Sequence, residues 1–166
     1  MTTASAEPDA SRSALDEYLC FAIYSANLAF GRLYLPLLKS TGLTYLQYVA
    51  MVVLWERDRP TVGELCQVLM LTTSTVTPLL QKLETRGLLR RVRADRDERQ
   101  VRILVTPEGH ALKSKVASLP DCIRDASGLE PEALETMQRA LIELRRRIGR
   151  SGNESVSGPL SEHTPS

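Results

Sequence analysis

Between positions 60 and 106 the spacing of apolar residues changes period in an order that few folds can accommodate. Thr61 and Glu64 stand three apart, as in a capping box where each side chain satisfies a backbone N–H of the other. They open a short helix in which Leu65, Val68 and Leu69 are expected to face inward. Met70-Leu71-Thr72 allows only a brief turn before a second helix, which reaches about Arg86 and carries Val76, Leu79, Leu80 and Leu83 on one face. Gly87 follows as the residue beyond the helix end, where a left-handed backbone suits glycine. The period then falls to two. Leu88-Leu89-Arg90-Arg91-Val92-Arg93 and Val101-Arg102-Ile103-Leu104-Val105 read as strands joined by a charged loop at 94–100. Thr106-Pro107-Glu108-Gly109 starts the next helix, with proline at the first position, where its missing N–H is not needed.

Two short helices, a tight turn and a basic hairpin are the parts of a winged helix-turn-helix. The second helix begins with a run of small hydroxyl residues, Thr72, Thr73, Ser74, Thr75 and Thr77, and continues its polar face with Gln81, Lys82 and Arg86. Helix N-termini offer free N–H groups to phosphate oxygens, and hydroxyls bond either phosphates or base edges. Pro78 is unstrained if Thr75 caps this helix, because proline then falls at the third position. An earlier start demands a kink. The whole chain nets only +1, yet residues 82–102 hold eight basic and four acidic residues, a net +4. Charge concentrated there, Arg91 and Arg93 included, is the footprint of a contact to duplex DNA.

The flanks read as helices. Leu15, Leu19, Ile23, Ala26, Phe30 and Leu33 share one face of a helix over about 13–33, and Cys20, Tyr24 and Leu28 lie on a neighbouring face. A helix apolar over so much of its circumference calls for a partner in another chain. A second helix starts at Thr44, carries Val49, Val52, Val53 and Trp55, and stops near 58–60. The last helix, about 131–148, has Leu134, Met137, Leu141, Leu144 and Ile148 at heptad spacing. The fold class is therefore mainly α (α+β): a winged helix-turn-helix at about 44–106, with dimerisation helices at about 14–40 and 107–148. Polar or Gly/Ser/Pro-rich stretches at 1–13 and 149–166 read as disordered tails.

Several function classes are disfavoured. No apolar run is long enough to span a membrane, and the first residues lack the basic start and apolar core of a signal peptide. Three widely spaced cysteines make no disulfide framework, so a cytoplasmic setting with reduced thiols is expected. No metal-ligand spacing, phosphate loop, dinucleotide glycine motif or Ser/His/Asp grouping occurs; no metal, cofactor or enzymatic role is expected.

Leu19-Cys20-Phe21, Tyr34-Leu35-Pro36-Leu37-Leu38, Leu43-Thr44-Tyr45-Leu46-Gln47-Tyr48, Leu54-Trp55-Glu56, Thr75-Val76-Thr77-Pro78-Leu79-Leu80 and Asp97-Glu98-Arg99 occur in this order. With them, residues 14–147 resemble the multiple-antibiotic-resistance (MarR-type) regulators, most closely their organic hydroperoxide resistance branch. The resemblance implies a triangular homodimer whose recognition helices enter successive major grooves of a pseudo-palindromic operator. It places Arg99 in the minor groove, braced by Asp97. Close relatives carry Leu-Asp-Ser-Gly where this chain has Leu71-Thr72-Thr73-Ser74, so operator sequence transfers less readily than fold.

On its own Cys20 reads as a small buried hydrophobe, with Tyr24 one turn on and Tyr34 and Tyr45 further along. A phenol donating to sulfur favours the thiolate, the species that attacks a peroxide. The resemblance implies that Cys20 is the peroxide-reactive residue, with Tyr34 and Tyr45 hydrogen-bonded to it. The expected chemistry is oxidation by an organic hydroperoxide to sulfenic acid and then a disulfide. Cys122 is the candidate resolving thiol, in competition with a small cellular thiol; Cys66 reads as packing. Competing readings are a regulator released by a small phenolic ligand with Cys20 a bystander, a catalytic thiol peroxidase, and a protein-interaction dimer using the heptad seam alone.

Overall fold

Residues 14–94 and 97–155 are described by a computed structural model. A 3-10 turn, Ala14–Glu17, leads into α1, Leu19–Leu38. Then follow α2 (Tyr45–Glu56), α3 (Val62–Leu69), α4 (Thr73–Thr85), strands β1 (Leu89–Ala94) and β2 (Asp97–Val105), α5 (Pro107–Lys115), α6 (Leu119–Ser127) and α7 (Pro131–Ser155). Two compact units meet at 119/120 in the chain. The tail expected at 1–13 lies outside the described residues, as does the end of the chain beyond 155.

Capping boxes start the two helices that frame the core. Thr44 Oγ1 accepts from the Gln47 N–H (3.3 Å), and Gln47 Oε1 accepts from the Thr44 N–H (3.0 Å). Thr61 and Glu64 do the same for α3, as the spacing predicts. Between α3 and α4 the chain turns at Met70, whose left-handed backbone (φ 54°) lets its N–H reach back to the Cys66 and Gln67 carbonyls. In α4, Val76, Leu79, Leu80 and Leu83 are all buried, as expected; with Leu65, Leu89 and Ile103 they form the centre of the first unit. Each such side chain contributes about 1.5–3 kcal/mol by burial, so α4 is held by its apolar face and presents the opposite one.

The hairpin is antiparallel, Leu89 opposite Val105 and Arg93 opposite Val101. Its base is tied to the start of α3 by the Ile103 N–H on the Pro60 carbonyl (2.9 Å) and a bridge between Thr61 and Arg102. Thr106 caps α5 through its hydroxyl and donates that hydroxyl's proton to the Gly87 carbonyl (2.6 Å). Trp55 Nε1 donates to the Gly109 carbonyl (3.0 Å), clasping α2 to α5.

Several boundaries differ from the sequence reading. The first helix begins later, at Leu19, and passes through Pro36 to Leu38. Proline there forfeits one hydrogen bond in the final turn, while Leu38 beyond it is deeply buried and offsets the loss. Pro78 is an interior residue of α4, because Thr72 rather than Thr75 precedes the helix. Val68 is exposed (37%), on the outer flank of α3, while Leu65 takes the core position. Pairing extends past the expected strand ends to Ala94 opposite Asp97, with a bulge at Arg93/Ala94. Backbone pairing needs no apolar side chain, so a charged stretch hides it from the period-two signal. The last helix continues to Ser155 instead of stopping near Ile148. Gly149 and Gly152 cost only about 1 kcal/mol each relative to alanine, and the next proline is at 159.

Gly109 is where α5 presses closest on the hairpin. A Cβ there collides with the Leu88 carbonyl oxygen and comes within 2.7 Å of Val105 Cγ1. Gly109→Ala is therefore expected to destabilise the protein by about 2–3 kcal/mol. Urea unfolding followed by Trp55 fluorescence measures this, and an unchanged midpoint would refute the close approach.

Candidate nucleic-acid interface and thiol site

The outer face of α4 is built as the hydroxyl run suggests. Thr72, Thr73, Ser74, Thr75, Gln81 and Lys82 are exposed and Thr77 is half-buried. The Thr72 hydroxyl bonds those of Ser74 (2.8 Å) and Thr75 (3.2 Å) and makes no capping hydrogen bond to the helix. No side chain caps the first turn, where the Thr75 and Val76 N–H groups donate to the Thr72 carbonyl (3.0 Å each), and a helix start without a side-chain cap suits an anion. Thr73 and Thr77 share a cleft of about 610 Å³ with Thr61, Glu64 and Arg102. Glu64 is held below the ordinary carboxylate range, first by the Thr61 N–H and then by the Thr61 hydroxyl.

The arginines divide by what they touch. Arg90 and Arg93 project from β1 into solvent. Arg91 is half-buried: its Nε lies 3.3 Å from Glu84 Oε2, and its N–H donates to Glu84 Oε1 (2.9 Å). The ion pair lacks hydrogen-bond alignment, leaving Arg91 Nε and Nη2 buried without an acceptor. It fastens the root of the wing to α4. Arg86 sits at the C-terminal end of α4, where Nη1 donates to the Gly42 carbonyl (2.8 Å) and Nη2 to the Thr41 carbonyl (2.6 Å). The side chains of Asp97 and Arg99 lie outside the described residues.

Cys20 is the second residue of α1 and is exposed rather than buried. Leu15, Tyr18, Phe21 and Tyr24 surround it in a shallow apolar pocket of about 490 Å³. Tyr34 is fourteen residues further along the same helix, about 21 Å at 1.5 Å per residue, and cannot reach the thiol of its own chain. Instead Tyr34 packs at a tilt against Tyr45 (ring centroids 4.6 Å, planes 46° apart) and Tyr48 (5.8 Å, 37°). Burial, reinforced by Tyr45 and Tyr48, pushes the Tyr34 phenol up to about 12. Within one chain, then, the tyrosines form one site and Cys20 another. Cys122 is half-buried on α6, and Cys66 is half-buried with its Sγ 3.7 Å from Thr73 Oγ1.

Sequence reasoning missed Tyr48, Tyr18, Phe21 and Glu84. Tyr48 follows Tyr45 by one helical step of three, and Tyr18 and Phe21 bracket Cys20, so spacing carried the signal. Glu84 and Arg91 belong to a helix and a strand, and no local pattern couples them.

The SarA/Rot transcriptional regulator family matches residues 32–116. The chain is 40% identical over 143 residues to the HTH-type transcriptional regulator TtmR of Methylorubrum extorquens, spanning 86% of this chain and 73% of that protein. It is 37% identical over 130 residues to the organic hydroperoxide resistance transcriptional regulator of Bacillus subtilis, spanning 78% and 88%. Reduced AbfR bound to DNA, from Staphylococcus epidermidis, aligns with a TM-score of 0.68 at 31% identity, covering 80% of this chain and 90% of that one.

The phenol cluster gives a titration test. Because the folded protein holds the Tyr34 proton to about 12, against 10.0 for a free phenol, its contribution to stability is complete below pH 10 and fades as pH rises through 12. Absorbance at the phenolate band should contain a late component with a midpoint near 12 that Tyr34→Phe removes. A wild-type titration complete near the ordinary phenol value would contradict it.

Proposed function

The chain belongs to the SarA/Rot transcriptional regulators, within the MarR-like winged-helix group, and on that premise we propose a DNA-binding repressor that is released from its operator when an organic hydroperoxide oxidises Cys20. The outer face of α4, with Thr72, Thr73, Ser74, Thr75, Thr77, Gln81 and Lys82, is the part offered to the major groove. Arg93, with Asp97 and Arg99 further along the hairpin, serves the neighbouring backbone and minor groove. Apolar residues left exposed on α1, with Leu35 the most open at 71%, support a homodimer through this helix. Met137, Leu141 and Ile148 on α7 are exposed in the same manner.

The observation that carries the sensing reading is the separation of Cys20 from Tyr34 along one continuous helix. A dimer that sets the start of α1 against the other subunit brings Cys20 to Tyr34 and Tyr45 of the partner subunit. The apolar pocket around Cys20 favours an alkyl or aryl hydroperoxide over hydrogen peroxide, which gains nothing from apolar burial. The Cys20 thiolate attacks the distal peroxide oxygen and the O–O bond breaks. Sulfur keeps one oxygen as sulfenic acid, and the alkoxide leaves as the alcohol after taking a proton. A second thiol then condenses with the sulfenic acid, forming a disulfide and releasing water. Cys122 is the candidate within the protein. On this reading one oxidation per subunit is enough for release, and the thiol acts as a switch.

Mobility shifts with cumene hydroperoxide and hydrogen peroxide should show release of wild type and retention by Cys20→Ser. Release of Cys20→Ser by the same oxidant would overturn the thiol's role and favour a ligand-released regulator. Mixed dimers test the shared site. Pairing a Cys20→Ser subunit with a Tyr34→Phe/Tyr45→Phe subunit rebuilds one complete site across the interface, whereas neither homodimer has any. Sulfenic-acid labelling of the mixed dimer at roughly half the wild-type extent is expected, and labelling no faster than in the Tyr34→Phe/Tyr45→Phe homodimer would refute it.

A further inference from the structure

Arg86 lies at the end of the polar face of α4, where a cation on phosphate would be the ordinary reading, yet its geometry gives it another use. Its guanidinium forks onto two successive carbonyls, Thr41 and Gly42, more than forty residues earlier in the chain. These carbonyls belong to the short connection between α1 and α2, which is itself tightly bonded. The buried Thr41 hydroxyl donates to the Leu38 carbonyl (2.7 Å) and accepts from the Leu43 N–H (3.3 Å). Thr44 then enters its reciprocal cap with Gln47. The next residue is Tyr45, whose ring packs against that of Tyr34.

A continuous series of contacts therefore runs from the tyrosine pair, through 41–44, into Arg86, the residue that follows the last turn of the helix offered to DNA. We propose that Arg86 is a positioning residue, the strut through which the tyrosine cluster sets where α4 stands, and not a contact to the nucleic acid. A planar fork on two neighbouring acceptors fixes both distance and rotation, which a single ammonium cannot do. A shift of Tyr45 moves the connection, and the fork carries that movement to the C-terminal end of α4. This inference rests on the reading of Tyr34 and Tyr45 as partners of the sensing thiol, and it adds the route from that site to the DNA-facing helix.

The test compares wild type, Arg86→Lys and Arg86→Ala by fluorescence anisotropy, on a duplex enriched from a randomised pool by the reduced wild type. Binding is measured over a salt series before and after cumene hydroperoxide. A strut predicts that oxidation weakens wild-type binding on the order of 100-fold and that both variants lose most of this effect, to under about tenfold. Their salt slopes match the wild type. A phosphate contact predicts the reverse: Arg86→Ala has a slope shallower by about two, one for each subunit, Arg86→Lys restores it, and oxidation acts on all three alike. That pattern would overturn the proposal. Arg86→Lys, which keeps the charge, serves if Arg86→Ala does not fold.

Should the wild type keep its DNA after oxidation, the thiol reading fails by itself, and hydrogen exchange still decides the strut. DNA binding to the reduced wild type should slow amide exchange at 41–45, and Arg86→Lys should abolish the slowing. Equal slowing in wild type and Arg86→Lys would refute the strut.

Discussion

The burial of one face of α4 is the constraint on which the rest of the first unit depends. Val76, Leu79, Leu80 and Leu83 can be buried together only if α3 lies across one side and the hairpin closes another. Once they are buried, the helix cannot rotate without exposing leucine or drowning hydroxyls. Its polar face is fixed by exclusion. The Arg91–Glu84 pair joins this helix to the wing, and the Arg86 fork joins its C-terminal end to the α1–α2 connection.

Polar contacts of this kind contribute modestly to stability and more to geometry. A hydrogen bond nets only about 1 kcal/mol after its exchange with water, against the larger sum of buried side chains. Its direction is what matters. The Trp55 indole on the Gly109 carbonyl and the Thr106 hydroxyl on the Gly87 carbonyl sit where apolar contact alone would let elements slide.

The thiol site is organised on the opposite principle. Cys20 is exposed near the start of α1 beside apolar residues of that helix and of the turn before it, whereas the phenols of Tyr34 and Tyr48 are partly desolvated and shifted upward. On the proposed function, a site divided between the two ends of a helix is inert in a single chain and completed by a second. Under that reading, dimerisation is a chemical requirement as well as a way to span two half-sites.

How much was legible follows from the range of each interaction. Caps, glycine ends and apolar stripes are local, so Thr61, Glu64, Gly87, Thr106 and the buried face of α4 could be read directly from spacing. The Ala94–Asp97 pairing beyond the bulge and the run of α1 through Pro36 were hidden, because side-chain patterns do not report backbone hydrogen bonds or distant burial. The presence of Cys20, Tyr34 and Tyr45 was likewise plain in the sequence, while their distance apart followed only from α1 being one unbroken helix. By itself, then, the sequence determined which elements form and which face of each is apolar, since both depend on neighbours within a few residues. Only the tertiary structure decided that Arg86 grips Thr41 and Gly42, that Arg91 meets Glu84, and that Tyr34 meets Tyr45 and Tyr48. Those contacts join positions brought together by burial, and burial of the core is a property of the folded chain as a whole.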